Sequence, residues 1–330
     1  MRAVQFTALD QMIVTAVAKP VPAEGEALVQ VKAAALNHRD LWIKQGQYPG
    51  LKWPIIPGSD GAGVVAELNG AKGGFAIGDE VIINPAFNWG EAERAQVDSF
   101  SILGLPRNGT LAEYVTVPVS QLSRKPAHLN WSEAAALPLA GLTAYRALFS
   151  RANLQAGERV LINGVGGGVA LFAMQFAVAA GAEVWVTSSD SVKIERAIAL
   201  GAAGGFDYNE KGWTRKARAA VTGFDVLVES AGGTGFERLV DVANPGGRIV
   251  FFGATQGDPA SLPMRKIFWK QLSLLGTTMG SPTDWAEMTK FVGEHRVKPL
   301  VGEPLALDQI EIAFDLMARG AQFGKIVVLM

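Results

Sequence analysis

The sequence predicts an α/β protein in which a parallel sheet covered by helices is joined to an irregular antiparallel β-barrel. Three observations carry this. Short alternating strands, broken by Pro and Gly, fill the N-terminal third. From Arg159 to Phe252, strands and helices take turns, the pattern of βαβ units. A glycine-rich turn joins the first strand and first helix of that run.

The segments Arg2–Phe6, Ala27–Ala33, Gly61–Leu68 and Asp79–Ile83 alternate as half-buried strands do. Pro54, Pro57, Gly58, Gly70 and Gly78 punctuate them, which suits a barrel of short strands. Residues 84–108 are polar and read as a surface lobe or loop. Ser132 reads as the N-cap of a helix, and Leu142–Phe149 as a second helical stretch. Strands are then expected at Arg159–Ile162, Glu183–Thr187, Phe224–Glu229 and Arg248–Phe252. Helices are expected at Val169–Ala179, Val192–Leu200 and Phe236–Ala243. Two amphipathic helices, Trp285–Glu294 and Leu307–Arg319, precede a terminal strand, Lys325–Leu329, expected to pair back with the first domain.

Composition bounds the function. A chain of 330 residues can hold two domains and a substantial core. With 49% hydrophobic and 18% charged residues it is not a disordered chain. Lys plus Arg number 30 against 31 Asp plus Glu, so no basic excess is present to hold nucleic acid. The absence of cysteine removes disulfides, thiolate metal sites and a cysteine nucleophile. The three histidines, His38, His128 and His295, form no H-x-x-x-H pair. The N-terminus lacks the pattern of a signal peptide, and the apolar stretch Val160–Val186 is broken by glycines, so no membrane span is expected. The expected compartment is the cytoplasm.

The turn reads Asn163-Gly164-Val165-Gly166-Gly167-Gly168-Val169-Ala170, after a strand and before a helix. Glycines there let a pyrophosphate approach backbone N–H groups at the positive end of the helix. This is the dinucleotide position of a Rossmann domain. The spacing is G-x-x-G-x-x-A over Gly164, Gly167 and Ala170, because Val169 breaks a strict G-x-G-x-x-G. NAD binders place an acid at the end of the second strand to hold the ribose hydroxyls. Ser188 stands there instead, with Lys193 available to pair with a 2′-phosphate. This predicts NADP(H). Asp190, two residues later, is the counter-argument, and Lys193 and Arg196 also read as solvated charges on a helix face.

Several ordered motifs resemble one family across nearly the whole chain. They are Ala34-Ala35-Leu36-Asn37-His38-Arg39-Asp40, Pro57-Gly58-Ser59-Asp60-Gly61-Ala62-Gly63-Val64, Gly109-Thr110-Leu111-Ala112-Glu113-Tyr114 and Leu137-Pro138-Leu139-Ala140-Gly141-Leu142-Thr143-Ala144-Tyr145. The glycine-rich turn and Gly324-Lys325-Ile326-Val327 complete the set. Together they resemble the medium-chain dehydrogenase/reductase superfamily in its zinc-free quinone oxidoreductase branch. The resemblance implies a GroES-like catalytic domain at 1–125 and 281–330, a Rossmann domain at 126–280, and a cleft between them. It also implies a homodimer joined through the edge strand Leu272–Thr277, with a hydrophobic edge to cover.

Zinc members carry Cys, His and Cys ligands where this chain has Asn37, the Gly58-Ser59-Asp60 segment and Leu139. The cysteines of a structural zinc lobe are missing from 84–108, and Arg39 takes the place of a Ser or Thr proton relay. No zinc is therefore expected. Without that Lewis acid, simple alcohols are difficult substrates, whereas quinones and α,β-unsaturated carbonyls already spread an incoming charge. The expected reaction is hydride transfer from NADPH to such an acceptor.

The resemblance implies a catalytic set of Asn37, Tyr48 and Asp40: Asn37 as an oxyanion donor, Tyr48 in the pocket wall and Asp40 as hydrogen-bonding support. Trp42 replaces a family Tyr and keeps an aromatic wall. The cofactor set comprises Thr143, Gly164, Gly166, Gly167, Gly168, Val169, Ser188, Lys193, Tyr208 and Gly253. Each also has a structural reading: Asn37 as a turn residue, Tyr48 as a loop aromatic. Two rival functions stand beside the first: an enoyl-thioester reductase, and a non-catalytic dinucleotide-binding redox sensor or structural protein.

Overall fold

The computed structural model describes residues 1–70 and 73–330, and the chain divides into two compact units, Met1–Leu142 with Gly280–Met330, and Thr143–Met279. The division falls later than the expected boundary at 125, because the helix at Trp131–Ala136 packs on strands of the first unit.

In chain order, the first unit begins with β1 (Arg2–Ala8), β2 (Gln11–Ala16), β3 (Glu26–Ala35), α1 (His38–Lys44), β4 (Asp60–Leu68), β5 (Glu80–Ile83), β6 (Ala86–Phe87), β7 (Ser101–Ile102), β8 (Tyr114–Pro118), β9 (Leu122–Arg124) and α2 (Trp131–Ala136). α3 (Pro138–Tyr145) leads into the second unit. That unit holds β10 (Arg159–Ile162), α4 (Gly168–Ala179), β11 (Glu183–Ser188), α5 (Ser191–Ala199), β12 (Gly204–Asp207) and α6 (Trp213–Val221). It continues with β13 (Phe224–Glu229), α7 (Phe236–Val242), β14 (Ala243–Phe251), α8 (Met264–Trp269) and β15 (Ser273–Gly276). The chain then returns to the first unit with α9 (Pro282–Glu294), β16 (Leu305–Ala306), α10 (Ile310–Ala318) and β17 (Val327–Leu329).

The first unit is built on a seven-stranded sheet in the order β16-β17-β3-β4-β5-β9, with β8 also paired to β3. The terminal strand pairs antiparallel with β3, Val328 opposite Ala34, as the sequence predicts. β3 and β4 run antiparallel with a register shift between Val31 and Ala33. Their close approach needs Gly63, where an added Cβ would lie 2.1 Å from the Gln30 carbonyl oxygen. Phe6, Val29, Ile83, Leu111 and Phe314 belong to the core of this unit, and Phe6 meets Phe314 edge-on at 5.7 Å.

Two expectations are corrected here. Asn130, not Ser132, caps α2: its side chain accepts from the Glu133 amide at 2.9 Å, and the Glu133 carboxylate accepts from the Asn130 amide at 2.9 Å. This reciprocal box starts the helix earlier, at Trp131. The 84–108 segment is not wholly a surface lobe. β6 and β7 pair, and Phe87, Trp89, Leu103 and Leu105 are buried, while residues 91–99 are exposed.

The second unit is a six-stranded parallel sheet in the order β12-β11-β10-β13-β14-β15. The strand order reverses between β10 and β13, which is where open α/β sheets bind ligands. β12 has no apolar alternation in the sequence. Its glycines are there because a Cβ at Gly204 would lie 2.3 Å from the Trp185 ring, and one at Gly205 2.5 Å from the Ile194 side chain. Among the described residues, no helix is long and apolar enough to cross a membrane.

Candidate functional site

The first cluster lies where α1 and β4 begin. Asn37, the N-cap of α1, is 7% exposed and Asp60, at the start of β4, is fully buried. The Asn37 amide Nδ2 donates to Asp60 Oδ2 at 2.9 Å. Lys325 Nζ then donates to the Asn37 Oδ1 at 2.6 Å, Asp60 Oδ2 at 2.8 Å and the Leu36 carbonyl at 2.8 Å. All three ammonium hydrogens are thus used. Asp60 Oδ1 accepts from the Leu139 amide at 2.7 Å. The network fixes which way the Asn37 amide faces and leaves one of its two N–H groups uncommitted to these partners.

Asp40, fully buried, accepts from the Asn37 N–H at 2.8 Å and the Gly58 N–H at 3.2 Å. It therefore ties the start of α1 to the turn before β4. Burial pushes its carboxyl above the ordinary range, against the opposing pull of Arg39, the Asn37 N–H and Lys325. Tyr48 is half-buried, with its ring 4.9 Å from the Arg39 guanidinium and its hydroxyl 3.4 Å from Arg39 Nε. The three residues of the expected catalytic set are therefore gathered in one region. Sequence reasoning missed Lys325 and Asp60 as its partners, although both stand in the motifs quoted above.

The second cluster surrounds the turn after β10. Gly164 and Gly166 have φ of +74° and +144°, which favour glycine, and a Cβ at Gly164 or Gly167 would meet nothing within 4 Å. The space above the turn is open. Gly167 caps α4 without a side chain, so the first amides of a 12-residue helix, from Gly168 and Val169 onward, are presented to a ligand. These features fit a dinucleotide pyrophosphate. Lys193 reaches back from α5 over this turn: a Cβ on Gly166 would lie 3.1 Å from its Cδ and 3.4 Å from its Nζ. Ser188 is buried at the end of β11, and its hydroxyl accepts from the Asp190 amide at 3.1 Å. Asp190 turns its carboxylate to the Val192 amide at 2.9 Å as the N-cap of α5. Tyr208 follows β12, its amide donating to the Ser188 carbonyl at 3.2 Å. Gly253, just past β14, admits no side chain, since a Cβ would lie 2.9 Å from the Ser230 carbonyl. Thr143 is buried on α3, with its hydroxyl 3.9 Å from Met279 Sδ.

Beneath the turn runs a network that sequence reasoning also missed. Glu229, at the end of β13 and 1% exposed, accepts from the Ala231 and Gly232 amides at 2.5 and 2.7 Å and from Asn163 Nδ2. Asn163 Oδ1 accepts from Thr187 Oγ1 at 2.6 Å, and Thr187 Oγ1 accepts from the Gly164 amide at 3.0 Å. Burial pushes the Glu229 carboxyl up, while its hydrogen bonds from Asn163 and the backbone oppose the shift.

The family model for the alcohol dehydrogenase GroES-like domain matches residues 23–127, and that for zinc-binding dehydrogenases matches 168–294. A zinc-type alcohol dehydrogenase-like protein of Leptosphaeria maculans is 35% identical, over 94% of this chain and 92% of its own length. The chain belongs to the medium-chain dehydrogenase/reductase superfamily. A crystal structure of an NAD-dependent alcohol dehydrogenase, 37% identical, superposes with a TM-score of 0.95 over 100% of both chains. The quinone oxidoreductase of Mus musculus is 29% identical over 94% of this chain and 91% of its own.

The superfamily is one of NAD(P)-binding oxidoreductases with a GroES-like and a Rossmann domain, and this chain has that fold. The residues at the family's zinc-ligand positions do not fit a zinc ion. Asn37, Ser59 and Leu139 offer no thiolate or imidazole, and the Lys325 ammonium already sits against the Asn37 and Asp60 oxygens. Among the described residues, no group of three or more His, Cys, Asp or Glu is arranged to hold a metal.

The two raised carboxyls set a pH dependence. Asp40 and Glu229 titrate higher in the folded chain than when unfolded, so the folded chain binds their protons first as pH falls. Their contribution to stability is fully present below the unfolded carboxyl range and is lost as pH rises through the raised folded values. Urea unfolding at a series of pH values is expected to show stability declining across that interval. Glu229→Gln is expected to flatten the decline, and an unchanged pH profile would contradict the raised titration of Glu229.

Proposed function

We propose that this chain is an NADPH-dependent reductase of quinones or α,β-unsaturated carbonyls that works without zinc. The observation that carries the reading is the Lys325 ammonium bound to Asn37 and Asp60. It puts a fixed cation among residues that would otherwise be candidates to hold a metal. Reduction of a conjugated acceptor needs only hydride delivery, a polarising donor at the acceptor oxygen and a proton from water. When bound, NADPH supplies the hydride from C4 of its dihydronicotinamide. The chain's own parts are the turn at Gly164–Val169 for the pyrophosphate, with Thr143 and Gly253 assigned to the rest of the dinucleotide.

The choice of NADPH is supported by three side chains. Ser188 leaves the ribose end of β11 without an acid, Asp190 turns one carboxylate oxygen to capping α5, and Lys193 lies over the turn. Tyr208, bonded to the Ser188 backbone, borders the same position. The 37%-identical structure is described as NAD-dependent, so the cofactor ratio is the sharp test. A homodimer through β15 is supported by its place at the sheet edge and by Phe268 and Trp269 of α8, which are 64% and 82% exposed. We assign the chain to the cytoplasm.

The test is a fluorescence titration of metal-free protein with NADPH and with NADH, followed by addition of 9,10-phenanthrenequinone. The expected result is tighter NADPH binding, at least about 10-fold weakened by Lys193→Ala through loss of a phosphate-pairing charge, and rapid NADPH oxidation. Preference for NADH would overturn the roles of Ser188 and Lys193. Tight binding with no turnover across quinones and enones would favour the non-catalytic reading.

A further inference from the structure

Beside the Asn37–Asp60 bridge runs a second bridge between the same two elements. Arg39, two residues on from Asn37, is 5% exposed and reaches the residue before Asp60. Its Nη1 donates to Ser59 Oγ at 2.7 Å and to the Leu103 carbonyl at 2.7 Å. Ser59 Oγ donates to that same carbonyl at 2.8 Å. Arg39 Nε faces the Tyr48 hydroxyl. Arg39 Nη2 is buried and has no hydrogen-bond partner.

A guanidinium stays protonated, so this is a permanent buried cation with two unspent donors on one nitrogen. A structure normally satisfies such a group, and an exception calls for an explanation. No carboxylate forms a salt bridge with Arg39 among the ion pairs of the described residues. The usual two-pronged grip on a carboxylate is not available here. Both hydrogens of Nη1 are committed to Ser59 and Leu103, which leaves Nη2 alone, suited to a single oxygen atom. Tyr48 is the half-buried member of the cluster, its ring 4.9 Å from the guanidinium carbon, which puts the partly exposed side of the cluster next to Arg39.

We infer that Arg39, through Nη2, binds the carbonyl oxygen of the acceptor and stabilises the negative charge that forms there on reduction. This deepens the reductase reading and rests on it. In the step, the acceptor takes a hydride, with its two electrons, from C4 of NADPH, which becomes NADP+. The carbonyl oxygen takes the charge and is held by Arg39; a proton from water then adds at oxygen to give the hydroquinone, or at the carbon beside the carbonyl to give the saturated ketone. Asn37 keeps one N–H for the same oxygen, but that amide is neutral, so the charged Arg39 carries the larger share of this work. The acceptor class follows: a compound offering one exposed carbonyl oxygen conjugated to the carbon that accepts hydride.

The test compares wild type, Arg39→Gln, Arg39→Lys and Tyr48→Phe in NADPH oxidation with 9,10-phenanthrenequinone, and measures NADPH affinity by fluorescence. Arg39→Gln is expected to lower kcat by roughly 100-fold, the loss that follows removal of one oxyanion donor, with NADPH affinity unchanged. Arg39→Lys should recover part of the loss, and Tyr48→Phe should raise KM more than it lowers kcat. A kcat for Arg39→Gln equal to wild type, or a rise in KM alone, would overturn the assignment. Should Arg39→Gln not fold, Arg39→Lys decides, since it keeps the buried charge but not the planar reach; wild-type kcat in that variant also overturns it. Absence of turnover by the wild-type protein would overturn the reductase reading and this assignment together.

Discussion

Replacing Lys325 by methionine is expected to cost about 3–5 kcal/mol of stability, the penalty for leaving a buried ion without its partner. Lys325 and Asp60 have side chains 4% and 0% exposed, so water cannot solvate the carboxylate left behind. Asp60 would keep only the Leu139 and Asn37 donors, neither of which carries charge. The loss should be nearly independent of salt, because ions do not screen a pair this deep. The double variant Lys325→Met/Asp60→Asn removes both charges and should recover most of the loss. Urea unfolding followed by tryptophan fluorescence measures the cycle, and a coupling below about 1 kcal/mol, the range of exposed pairs, would contradict a tight buried pair. Lys325 also holds the Asn37 carbonyl oxygen, so the single variant lets that amide turn.

The parallel sheet was legible because periodicity and glycine report directly on βαβ units. Within β10 and β13, Val160–Ile162 and Val226–Val228 are continuous apolar runs, as strands buried on both faces must be. β12 escaped notice because its Gly204 and Gly205 are chosen by the crowding of Trp185 and Ile194, and a glycine carries no hydropathy signal. The α2 start was misplaced because Asn130 and Ser132 are both good caps, and only the Glu133 contact distinguishes them. The Asn37, Asp40 and Tyr48 grouping was legible from motif order. Their charge partners were not, since Lys325 reaches Asp60 across 265 residues of chain and no local pattern encodes that pairing. A lysine just before a short apolar terminal strand was the available signal. Arg39 shows the same gap: its type was readable, but the unpaired nitrogen depends on where Ser59 and Leu103 lie in space.

Glu229→Ala is expected to be the most damaging single change in the second unit. The carboxylate joins the ends of three strands: Asn163 after β10, Thr187 on β11 and its own β13. Removing it strips the Ala231 and Gly232 amides and one Asn163 hydrogen of their acceptor, at about 1–3 kcal/mol for each group left buried and unpaired. The glycine turn rests on this network through the Thr187 hydroxyl and the Gly164 amide, so the loss should appear in binding as well as in folding. Dinucleotide affinity is expected to fall by about 10-fold or more, in line with roughly 1.4 kcal/mol of lost preorganisation. Glu229→Gln should do less harm. Its carbonyl can still accept from both backbone amides, but its amino group faces the Asn163 Nδ2. Relief requires Asn163 to flip, which turns a donor toward the Thr187 oxygen that already accepts from Gly164. An intermediate affinity with near-normal stability is therefore expected for Gln, and full affinity in Glu229→Ala would show that the turn holds its shape without the carboxylate.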